Sequence, residues 1–224
     1  FNGVSIRDAS TVSILRTLPS GNNTFNNNGL AILGGSGLNI AADTNVVLNR
    51  VEARENTGSG ALIRADTGSV TITGTTYLPA IFTKNSGILV EFPAPLPINL
   101  KEGMYAGLHI DFATGVKLTN VAANENYGAG SYVRSGGPVS ILGTLNEFSG
   151  NNTWTDYPDI DQKYGLFIEV MQGAVTLLNF KADYNWGGGI YIDNSGMPGN
   201  VTLNSTVAGF TSSALWNVDA TYDS

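Results

Sequence analysis

Few residues in this chain could do acid–base or ligand chemistry. Glu91 with Asp111, and Glu169 with Asp193, fall at equivalent places in neighbouring copies of one short pattern, so each pair could face a common cleft. Glycoside hydrolysis needs two carboxylates at a fixed separation across such a cleft. Arg64 and Arg134 share the same column, however, and interspersed signs read better as a surface charge ladder. His109 is the single histidine and no motif sets a serine beside it, so it reads as a surface residue. The stretch NNTWTDYPDIDQKYG, 151–165, carries Trp154, Tyr157 and Tyr164 among Asp156, Asp159 and Asp161. Aromatics beside carboxylates suit carbohydrate or Ca²⁺; the alternative is a polar loop with an aromatic anchor. GGSGLN at 34–39 approaches a Gly-rich calcium repeat, but it occurs once and has Asn39 where an acid should stand. No phosphate loop, dinucleotide fingerprint or zinc motif is present. The absence of Cys excludes disulfides, Cys-ligated zinc and thiol catalysis. The reading is therefore not an enzyme, with no cofactor expected beyond weakly suggested Ca²⁺.

Four sequons, at Asn22, Asn151, Asn200 and Asn204, are candidates for glycan attachment, with Asn22 and Asn151 favoured because both fall on turns. A net charge of −7 argues against a nucleic-acid partner. No apolar run is long enough to span a membrane as a helix. The 28 glycines and the frequent Asn and Thr suit tight turns between strands and disfavour helices.

What positions these residues is a repeat. Gly followed by an alternating strand recurs as GLAIL at 29, GALIR at 60, GILVE at 87, GLHID at 107, GSYVR at 130, GLFIE at 165 and GIYID at 189. A second strand follows as VVLN at 46, VTIT at 70, VKLT at 116, VSIL at 139, VTLL at 175 and VTLN at 201. Asn56, Asn126 and Asn185 come next, each before a Gly-rich corner. Side-chain amides could form a ladder at that corner, or each Asn could simply adopt a left-handed turn conformation. The period lies in the solenoid range, where each unit is one turn of a coil and only stacked turns bury a core. The period-2 rule then points aliphatic columns inward. The expected fold is all-β, a single-stranded parallel β-helix of about 7–9 turns, one domain over 1–224.

A longer echo overlies the turns. VSILRTLPSGNNTF at 12 resembles VSILGTLNEFSGNNTW at 139, and Val46 then matches Val175. This gives a super-repeat of roughly 128 residues, about 12–138 and 139–224 with the second copy incomplete. Insertions are expected at 91–106 and 151–165; the first carries three prolines and cannot be a central strand.

The outward strand positions Leu62, Leu89, His109, Tyr132, Phe167 and Tyr191 form an apolar and aromatic stripe where a solvated sheet should be polar. Such a stripe marks lateral contact with another solenoid or with sugars, unless an insertion folds back over it. The chain opens on Phe1 without a leader pattern, FNGVSI already reads as strand, and Phe210, Leu215 and Trp216 stand out near the other end. Neither end reads as a polar cap, so the expectation is a segment of a longer repetitive polypeptide or a subunit that stacks end to end.

The pattern resembles the right-handed parallel β-helix repeats of secreted bacterial and archaeal surface proteins. That resemblance implies right-handedness and an extracellular or cell-surface location. It also implies a structural role in a fibre, filament, sheath or adhesin that partners copies of itself or flanking repeats. The alternative is a polysaccharide-binding or polysaccharide-degrading β-helix of the lyase or hydrolase kind.

Overall fold

The computed structural model describes residues 2–16, 20–29, 35–85, 106–152, 164–194 and 199–204. Each coil turn contributes one strand to each of three walls. The first turn is β1 (Val4–Ala9), β2 (Val12–Ile14) and β3 (Asn23–Thr24). The second is β4 (Leu38–Ala42), β5 (Val46–Asn49) and β6 (Val51–Glu52), and the third β7 (Ala61–Ala65), β8 (Ser69–Thr73) and β9 (Ala80–Ile81). The fourth is β10 (Leu108–Phe112), β11 (Gly115–Thr119) and β12 (Val121–Ala122), and the fifth β13 (Ser131–Ser135), β14 (Val139–Leu142) and β15 (Asn146–Glu147). The sixth is β16 (Tyr164–Val170), β17 (Val175–Leu178) and β18 (Phe180–Lys181), and β19 (Gly188–Asp193) and β20 (Val201–Asn204) belong to a seventh. The two longer walls are seven-stranded, β1-β4-β7-β10-β13-β16-β19 and β2-β5-β8-β11-β14-β17-β20; the third has six strands. Every pairing is parallel. The chain is thus an all-β parallel solenoid.

Register explains why this sequence accepts only this coil. Val12, Val46, Val70, Val116, Val139, Val175 and Val201 are aligned partners along the second wall. Ile40, Ile63, Ile110, Val133, Ile168 and Ile192 align along the first, each at most 2% exposed. A one-residue slip would turn the whole column outward.

The first wall departs from expectation at two places. Its second strand is Leu38–Ala42, and its first is Val4–Ala9, while GLAIL at 29 and GILVE at 87 fall, apart from Gly29, outside the described residues. β7 pairs directly with β10, and β4 with β1 and β7, so this wall has no gap for a strand at either place. Spacing decides it. Leu38 precedes Val46 at the interval that separates Leu108 from Val116 and Ser131 from Val139, whereas Leu30 stands twice as far back.

The core also alternates. Where the third wall ends, Phe25, Phe82 and Phe148 close the odd turns, and Ala53, Ala123 and Ala182 close the even ones. On the first wall Ala61 and Ser131 of odd turns lie between Leu38, Leu108 and Leu166 of even turns. A ring in one turn therefore leans over a methyl in the next, and bulk lost at one corner returns at another. Interdigitation of this kind is how large and small side chains fill a core at interior density. Ile190, in the seventh turn, departs from it. The connections alternate too. In even turns a single left-handed residue, Arg50, Asn120 or Asn179, joins the second wall to the third; odd turns use a longer stretch. The packing unit is thus a pair of turns, at 4–60, 61–130 and 131–189, and the ~128-residue echo spans two such units.

Candidate functional site

The longer connections between turns leave from one corner. Six asparagines stand there in a column: Asn28, Asn56, Asn85, Asn126, Asn151 and Asn185. Each of the first five donates its side-chain amide to the Oδ1 of the next, at 2.9–3.0 Å. The same Oδ1 also accepts the preceding Asn's backbone N–H. The second amide hydrogen of Asn85, Asn126, Asn151 and Asn185 reaches back to the carbonyl of Ala53, Phe82, Ala123 or Phe148. The ladder reading therefore holds. The left-handed conformation belongs instead to the residue just before each ladder Asn, such as Glu55, Lys84, Glu125 or Tyr184. A glycine packs against the ladder: a Cβ on Gly130 would stand 2.6 Å from Asn151 Nδ2 and 2.5 Å from the Ala123 carbonyl oxygen.

The ladder corrects two readings. Asn151 is fully buried with its amide doubly bonded, so it offers no site for a glycan. Asn22 is half-buried, whereas Asn200 and Asn204 are exposed. The expected insertion at 151–165 is narrower than its bounds, because Asn151 is a ladder residue and Tyr164 and Gly165 begin β16. Trp154, Asp156, Tyr157, Asp159 and Asp161 lie outside the described residues, as does nearly all of the insertion at 91–106.

Beside this corner lies the outer face of the first wall, where most of the sequence candidates converge. In-register strands set Leu62, His109, Tyr132, Phe167 and Tyr191 in one outward column. Successive turns are about 4.8 Å apart, which is stacking distance for aromatic rings. Tyr132 and Phe167 stack with centroids 5.1 Å apart, Phe167 and Tyr191 at 4.8 Å, and His109 meets Tyr132 edge-on at 4.9 Å. Tyr164 joins from the side, 5.1 Å from Tyr191.

The stripe is not a free surface over its centre. His109 is 4% exposed, Tyr132 2% and Phe167 5%, and Ala106, Ala129 and Tyr164 share their cluster. Only Leu62 and Tyr191 are half-buried, and Leu89 lies outside the described residues. Of the two readings, burial favours cover from within the chain. His109 is accordingly a packed residue, not a surface one.

No match to this chain is found among protein families, curated proteins or solved structures. Its chemistry must be argued from its own groups.

Two of the candidate carboxylates, Asp111 and Glu169, are engaged with arginines. Arg64 contacts Asp66 and, at 3.5 Å, Asp111. Arg134 meets Glu169 at 3.2 Å, and Glu169 is the register partner of Asp193. The hydrogen bond and charge of Asp66 raise the Arg64 pKa. Burial works against the Arg134 cation, and Glu169 overrides it, leaving that pKa raised as well. This is a surface charge ladder. Glu91 lies outside the described residues, so its pairing with Asp111 is not seen.

Among the described residues no group of three or more His, Asp or Glu is arranged to hold a metal ion. A cavity of about 80 Å³ lies where the second and third walls meet, between Thr76, Asn120, Thr144 and Glu147. It is well below the volume of a typical ligand pocket. Its polar groups are largely spent on one another: Asn120 Oδ1 accepts from the Thr144 backbone and hydroxyl, and Glu147 holds Lys181 at 3.1 Å.

Proposed function

We propose that the chain is a structural β-solenoid, an extracellular or cell-surface segment of a fibre, filament, sheath or adhesin, whose work is to be long, stiff and extendable. The observation that carries this reading is continuity. The valine column, the isoleucine column and the asparagine ladder pass from turn to turn unbroken, and polar groups are consumed by neighbours in adjacent turns. Outside the coil, Asp111 and Glu169 pair with arginines along the wall instead of facing one another across a cleft. Assembly falls to the coil ends. The central aromatic stripe is buried, so it stiffens the wall and does not serve as lateral contact. No helix among the described residues is long and apolar enough to cross a membrane.

Electron microscopy of the native material, paired with the denatured mass of the intact polypeptide, tests this. Filaments whose axial repeat is a multiple of about 4.8 Å are expected. A compact monomer that turns over or binds an acidic polysaccharide would replace the proposal with the second reading, a carbohydrate-active β-helix. That reading draws on the half-buried Tyr191 at the end of the aromatic column, with Glu169 and Asp193 in register beside it.

A further inference from the structure

Among the described residues the first turn of the coil is paired on one side only. No described strand pairs with the outer edges of β1, β2 or β3. Val4, Ile6 and Ile14 are only half-buried, whereas Leu38, Ile40 and Leu48, their register partners, are at most 1% exposed. Phe25 is half-buried where Phe82 and Phe148 are fully buried. Asn28 turns its amide to its own Asn26 carbonyl at 3.1 Å, while four later ladder residues use that hydrogen for the preceding turn.

We infer that the other side of the first turn docks one particular kind of partner, a parallel β-coil turn of the alanine-closed type from a flanking repeat. The inference deepens the proposed structural role by naming what the end receives. It rests on continuity with the interfaces already formed inside the chain. Wherever a phenylalanine-closed turn follows another turn among the first six, that turn is alanine-closed: Ala53 precedes Phe82, and Ala123 precedes Phe148. The same partners set Leu38 before Ala61 and Leu108 before Ser131. Turn one is phenylalanine-closed and carries the smaller Val4, so its complement offers Leu or Ile opposite Val4 and Ala opposite Phe25. That turn also brings an Asn to extend the ladder and a carbonyl that releases the Asn28 amide from Asn26. A second identical copy is the competing occupant.

The test adds a turn to the intact chain. Residues 37–60, an alanine-closed turn with its own short corner, are duplicated directly before Val4. A control insert of the same length carries Leu38→Ala and Ala53→Phe, which converts it to the other type. Thermal unfolding followed by circular dichroism, together with amide exchange of β1, reads the outcome. The first insert should raise the midpoint by roughly 5 °C or more and slow exchange in β1. The control should do neither. Equal stabilisation by both inserts would overturn the type preference, and no stabilisation by either would overturn the docking face itself. Light scattering of the unmodified chain covers the competing occupant, since end-to-end polymers of identical copies would also refute the inference. Failure here leaves the filament test of the structural role standing on its own outcome.

Discussion

Shortening the coil should be costlier by one turn than by two. Deleting 61–130 joins Gly60 to Ser131 and removes one complete pair of turns. Ala53 then sits before Phe148 and Leu38 beside Ser131, as native turns do. Deleting only 108–130 joins Gly107 to Ser131 and leaves more of the molecule intact, yet it sets Phe82 directly against Phe148 and Ala61 against Ser131. Leu108, fully buried between those two small residues, is lost. The gap resembles a buried Leu→Ala change, about 2–5 kcal/mol, and two rings in one layer add about 1–3 kcal/mol of overpacking. Together these amount to roughly 3–8 kcal/mol, comparable to the whole stability of an ordinary domain. The two-turn deletion loses only the contribution of the turns removed, because solenoid stability is close to a sum over units and their interfaces. Urea unfolding followed by far-ultraviolet circular dichroism is the assay. A lower midpoint is expected for the one-turn deletion despite its greater length. If that variant proved as stable as the two-turn deletion, or more so, the pairing of turns would be an accident of sequence and the reasoning would fail.

Three point variants probe other parts of the coil. Asn126→Ala should lose about 3 kcal/mol or more in urea unfolding, because it strips the acceptor from the Asn85 amide and the donor from the Phe82 carbonyl in a buried corner. Ser131→Ala should be neutral or gain about 1 kcal/mol by the same measurement, since Ser131 Oγ is fully buried without a hydrogen-bonding partner among the described residues. His109→Ala, which a surface residue would tolerate silently, should cost about 1–2 kcal/mol through lost packing on Tyr132, checked by the shift in thermal midpoint.

Much of the coil is legible in the chain because valine and isoleucine recur with period two and a one-residue slip is prohibitive. The alternation of turns is legible only with the register in hand. Insertions of unequal length separate its members, so no fixed offset reveals it until two units are added and the total settles near 128. The ladder residues Asn28, Asn85 and Asn151 escape notice for the same reason: longer stretches follow them, not the glycine corner that flags Asn56, Asn126 and Asn185. A local signal does exist, since each ladder Asn stands three positions after its Phe or Ala. GLAIL at 29 misleads because local pattern does not carry distance, and only its interval to Val46 disqualifies it as a wall strand. The buried stripe is a different kind of miss. Alternation tells which face a side chain takes, but whether that face meets water depends on segments distant in sequence.

The backbone hydrogen bonds between turns, from Val4 N to Gly37 O through Val175 N to Asn200 O, all run along the axis of the coil. A pull along that axis therefore loads them in series, and the weakest interface between turns gives first. An even turn so released pays out roughly 80 Å of chain and an odd turn roughly 115–160 Å, at about 3.4 Å per residue. The solenoid is stiff in compression and bending, yet under stretch it behaves as a reel. It lengthens in discrete steps at low force, and it can rewind turn by turn onto the ladder that remains.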